Sequence, residues 1–116
     1  MITSFGKFCR ILRIQNNELL KNMSDKLGVS SAFLSAVENG KKEIPEAWYS
    51  KIVTLYSLSD EEADKLYNAI LLSKKELKIN LQNLSTEDLN LAVSFARKFE
   101  SLSNEKKADL IKFFKS

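Results

Sequence analysis

The chain has no histidine, one cysteine, one proline and three glycines among its 116 residues. Each shortage removes options. With no histidine and only Cys9, neither a structural zinc site nor histidine-based acid–base catalysis can be assembled. A lone cysteine cannot form an internal disulfide. Cys9 follows Phe5 by four residues on an apolar helical face, so it reads as a small buried hydrophobe. So little glycine and proline leaves few chain breaks, which predicts an all-α fold with short connections. No apolar run approaches the ~18 residues that a bilayer-spanning helix needs, so no membrane partner is expected. The N-terminal MITSFGKFCRIL lacks the pattern of a cleavable signal, and the expected location is cytoplasmic.

Carboxylates remain as candidates for catalysis. Asp60, Glu61, Glu62 and Asp64 do cluster, but at the start of a helix, where they complement the positive end of its dipole. Nothing else resembles a catalytic constellation, so no enzyme, no metal and no cofactor is expected. The net charge of +3 is modest but unevenly placed. Residues 1–58 hold eight Lys/Arg against five Asp/Glu, whereas residues 59–116 hold ten of each. The excess sits wholly in the first half, which suits a half that faces a polyanion.

Hydrophobic spacing divides the chain further. Phe5, Phe8, Cys9 and Leu12 mark a first helix behind a Thr3 or Ser4 cap, and Leu19 or Leu20, Met23 and Leu27 a short second one ended by Gly28. Ser30 caps a third helix that runs to about Glu38, with Gly40 after it. Pro45 suits the first turn of a fourth, with Trp48, Ile52, Val53 and Tyr56. Ser59 and Glu62 form a capping box for a fifth, with Leu66 and Ile70 on its stripe. These five helices make a domain over 1–73. In the segment 74–116, Leu77, Ile79 and Leu81 alternate with polar residues, which predicts a short strand; a helix using Leu77, Leu81 and Leu84 is the other reading. Two C-terminal helices follow, from Ser85 to about Glu100 and from Ser103 to the end.

The stretch LGVSSAFLSAVENGKK, residues 27–42, poses a specific question. Between its apolar positions the surface is mostly Ser and Ala, where a solvated helix would carry charge. Two short helices joined by a tight turn form a helix-turn-helix. That geometry wants a small residue where the helices cross, which Ser24 supplies, and a residue tolerant of positive φ in the turn, which Gly28 supplies.

These residues, with FCRILR before them and IP after, resemble the lambda-repressor-like group of DNA-binding domains, the xenobiotic-response-element family, over about residues 5–58. The resemblance implies a five-helix DNA-binding domain whose third helix lies in the major groove. Ser30, Ser31, Ala32, Phe33 and Ser35 would then face base edges, where serine can donate or accept and Ala or Phe can meet a thymine methyl. Phe33 has a second reading, packing against the second helix. Asn39, Lys41 and Lys42 would grip phosphate, or form an ordinary solvated loop. Arg10 would reach phosphate from the first helix. Arg13 and Glu38 match the family's ion pair between the first helix and the end of the recognition helix. One departure stands out: many members open the second helix with Thr-Gln, and this chain has Leu19-Leu20, which cannot make the glutamine's phosphate contact.

A single strand cannot satisfy its own backbone. Leu77, Ile79 and Leu81 are therefore expected to pair with a second copy, with Phe95 and Phe99 packed around the seam; internal core is the alternative for the phenylalanines. The resulting expectation is a homodimer on double-stranded DNA, binding an inverted-repeat operator as a transcription regulator, most simply a repressor. An antitoxin that also caps a toxin, and a helical interaction module that has lost DNA binding, are the competing readings.

Overall fold

The computed structural model describes residues 1–76 and 79–116. Every regular element among them is helical: α1 (Ser4–Gln15), α2 (Leu20–Leu27), α3 (Ser31–Glu38), α4 (Trp48–Leu55), α5 (Asp60–Lys74), α6 (Thr86–Lys98) and α7 (Asn104–Lys115), with a 3₁₀ turn at Phe99–Ser101. They fall into two compact units, Met1–Leu77 and Lys78–Ser116. None of the described helices is long and apolar enough to cross a membrane.

Local chemistry sets most helix starts. Thr3, Ser30, Ser59, Ser85 and Ser103 each turn a hydroxyl back to accept a backbone N–H of the first turn. At α5 the exchange is reciprocal, since Glu62 Oε1 accepts the Ser59 N–H at 3.0 Å. Two expectations are corrected. Pro45 does not lie within α4; its carbonyl accepts the Trp48 N–H at 3.0 Å, so it closes the tight turn that precedes the helix. The strand is absent among the described residues. Ile79 is exposed and Leu81 partly so, neither in regular structure, and Leu77 lies outside the described residues. The reason is local: Asn80 Oδ1 accepts the Gln82 N–H at 3.0 Å, a turn that competes with an extended backbone.

The core of the first unit is drawn from all five of its helices. Phe5, Cys9 and Leu12 of α1 meet Met23 and Leu27 of α2, Leu34 and Val37 of α3, Trp48 and Ile52 of α4, and Leu66 and Ile70 of α5. Trp48 is central, with ring centroids 6.2 Å from Phe5 and 5.9 Å from Phe33. Each large side chain buried this way stabilises the fold by about 1.5–3 kcal/mol. Cys9 is fully buried, and that burial pushes its thiol well above the usual range. The Phe5 N–H donates to Ser73 Oγ at 2.8 Å and so ties the start of α1 to the end of α5.

Glu38 joins α3 to α1 at two points. Its carboxylate takes a two-pronged contact from Arg13, Nη1 to Oε2 at 2.5 Å and Nη2 to Oε1 at 3.1 Å, with both side chains buried. Burial alone would lower the Arg13 pKa, but the bond to Glu38 and its charge outweigh that and raise it. The Glu38 carbonyl meanwhile accepts both the N–H and the hydroxyl of Thr3, each at 2.9 Å. Gly6 packs so tightly there that a Cβ on it would collide with that same carbonyl oxygen.

The second unit is built differently. Neither α6 nor α7 contains a buried residue. Its aromatics pair locally, Phe95 with Phe99 at 5.5 Å and Phe113 with Phe114 at 5.6 Å.

Arg13→Ala leaves the Glu38 carboxylate buried without its partner, at a cost of about 3–5 kcal/mol. The melting temperature of the first unit, followed through Trp48 fluorescence, should fall by roughly 15 °C or more. Gly6→Ala should also lower it, with no charge altered.

Candidate nucleic-acid interface

Helix α2 ends because Gly28 takes a left-handed conformation, φ 75° and ψ 30°, with its N–H bonded to the Asp25 carbonyl. The Val29 N–H then returns to the Ser24 carbonyl at 2.9 Å, and Ser30 caps α3, its hydroxyl accepting from Phe33 N–H at 3.1 Å. Two residues therefore suffice to reverse the chain between α2 and the cap of α3. Ser24 is buried and lies within 3.2 Å, oxygen to oxygen, of Ser31 on α3. Any bulkier residue at 24 would separate the two helices.

Burial of Leu34, Val37 and Glu38 fixes the rotation of α3. The outward face is then Ala32 and Ala36 with Ser35 beside them, since positions four apart stack on one side of a helix. Ala32 is exposed, and Ser35 and Ala36 are partly so. The remaining hydrogen-bonding groups along α3 are engaged within the protein. Ser31 is paired with Ser24 and Ser30 caps the helix. Asn39 folds its amide back onto the Ser35 carbonyl at 2.9 Å. Phe33 is half-buried against the core, with its ring edge-on to Trp48.

The cationic candidates gather at the opposite end of α3 from Ser30. Arg10 is more than half exposed, its Nε 4.0 Å from Glu38 Oε1, while Lys41 and Lys42 follow the helix and are exposed. Both lysines line a cleft of about 440 Å³ whose walls also hold Lys74, Glu43, Glu46 and Glu76. With three charges of each sign the cleft has no net pull on an anion, so the lysines are better placed to act outward.

One element of the site had escaped the sequence reading. The loop leading into α2 is anchored by Glu18, whose carboxylate accepts Lys26 Nζ at 2.6 Å and Tyr56 Oη–H at 2.6 Å. Lys26 also lies 4.7 Å from the centre of the Tyr56 ring. Burial would raise the Glu18 pKa, but the bonds from Lys26 and Tyr56 overcome it and lower the value. Burial, then the bond to Glu18, push the Tyr56 hydroxyl upward. The start of α2 carries no side-chain cap from Leu19; instead Asn22 Oδ1 accepts the Leu19 N–H at 2.7 Å. An Asn three residues into a helix is the one sequence signal that could have revealed this.

Comparison with family models, with curated proteins and with solved structures returns no match.

A carboxyl held below its ordinary 4.5 favours the folded state fully above that pH and loses this contribution as pH falls through the folded value. Acid titration of stability below pH ~4.5 should therefore be shallower for Glu18→Gln than for the parent chain.

Proposed function

We propose that this chain is a sequence-specific DNA-binding transcription regulator of the lambda-repressor-like helix-turn-helix class, most simply a repressor, acting as a homodimer on an inverted-repeat operator. The observation that carries the reading is the unit formed by α2, the left-handed Gly28 and α3, with the small, uncharged face of α3 turned outward. Short side chains let a helix approach the floor of the major groove closely.

The chemistry of that face refines the expectation. Ala32 and Ala36 offer methyl groups, while the hydroxyls of Ser30 and Ser31 and the amide NH2 of Asn39 are engaged within the protein. Bidentate reading of bases is thus limited, and discrimination falls to thymine methyls and to the shape of the groove. Arg10, Lys41 and Lys42 supply the phosphate grip that sets register without reading sequence. Eight residues of α3 span only about 12 Å. Two copies on half-sites about 34 Å apart give the length a regulator needs.

Selection of bound fragments from a random duplex pool, followed by gel shift, tests this. An inverted repeat should emerge, and affinity should fall steeply with salt. Lys41→Ala should lower the salt slope by about one, weakening all sequences alike. Ala32→Asp should abolish binding, because it sets a negative charge among phosphates, while leaving the melting temperature unchanged. Failure of the parent chain to bind any duplex at low salt would overturn the reading.

A further inference from the structure

We propose that α6 and α7 form half of a four-helix seam completed by the same two helices of a second copy, and that this pairing is a condition of their folding. The inference rests on the homodimer reading above and names the surface that makes it.

Local signals for helix are complete in this unit, with serine caps at both starts. What is missing is an interior. A helical pair of about 40 residues with nothing buried cannot offset the entropy lost in ordering it. The apolar groups it needs are present but uncovered. Leu91, Phe95 and Phe99 recur every four residues and share one stripe, while Ile111, Phe113 and Phe114 stand out from α7, the last two at 70% exposure each. At about 200 Å² per large side chain, these six expose roughly 700 Å². A stable interface takes about 800 Å² from each partner.

The charges favour a twin over a stranger. Residues 79–116 hold six Lys/Arg and five Asp/Glu, so no field of one sign repels a copy. Helix α6 begins with Glu87 and Asp88 and ends with Arg97 and Lys98; α7 begins with Glu105 and ends with Lys112 and Lys115. Where the two-fold axis lies across the helix, α6 and its equivalent run antiparallel, and each acidic start meets the other's basic end.

Sedimentation equilibrium of the full chain without DNA, over about 1–100 µM, tests the proposal, with far-UV circular dichroism for helix content. Trp48, the only tryptophan, is buried in the first unit and reports that unit's integrity separately. The expected result is a dimer whose helix content falls on dilution while the Trp48 emission stays constant. The double variant Phe95→Gln/Phe113→Gln should be monomeric with fewer helical residues and unchanged Trp48 emission. A fully helical parent monomer at every concentration, or a dimer that survives both substitutions, would overturn the seam. A parent monomer would hand the surface to a different protein, such as a toxin. A dimer that survives both substitutions leaves the DNA reading intact, a monomeric parent removes its homodimer part but not duplex binding, and a dimer that ignores duplex DNA would sink that reading and keep the seam.

Discussion

The orientation of α3 depends on one buried contact, the fork of Arg13 on Glu38. A short helix has little leverage of its own; Leu34 and Val37 set its buried face, and the charged fork locks Glu38 into that same face. Because Glu38 also gives its carbonyl to Thr3, the C-terminal end of α3 is clamped to α1 through both backbone and side chain. That leaves the other end, with Ser30 and Ala32, free to face outward. Buried ion pairs contribute little net stability when their geometry is ordinary. Here the pair determines which face of the helix is available.

The same physical logic explains what could be read from the residues alone. Signals that act within one turn of helix were legible: serine caps, the Ser59–Glu62 exchange, the left-handed Gly28. The spacing of apolar residues gave the core of the first unit, because period and burial are the same fact seen twice. Signals that depend on a neighbour in space were not legible. Pro45 has a geometry compatible both with opening a helix and with the turn before one, and only the Trp48 bond decides. Glu18 has no distinctive local pattern; its partners lie 8 and 38 positions along the chain.

The candidate site shows the same division. The Ser/Ala composition of α3 was plain from the sequence, but which of these side chains stay unengaged was not. Ser31 turns to Ser24 and Phe33 turns to Trp48, each through a contact the linear order does not announce. The alternation of Leu77, Ile79 and Leu81 misled for a related reason. A period of two describes a strand only where another strand is at hand, and Asn80 instead satisfies the backbone locally.

Cys9 has a further bearing on how the first unit breathes. The sulfur is sealed between α1 and its neighbours and held in its protonated form, so reagents that modify thiols meet nothing at the surface. The chain has no other cysteine to confuse the signal. Its rate of modification is therefore a clock for transient opening of the packed helices of the first unit.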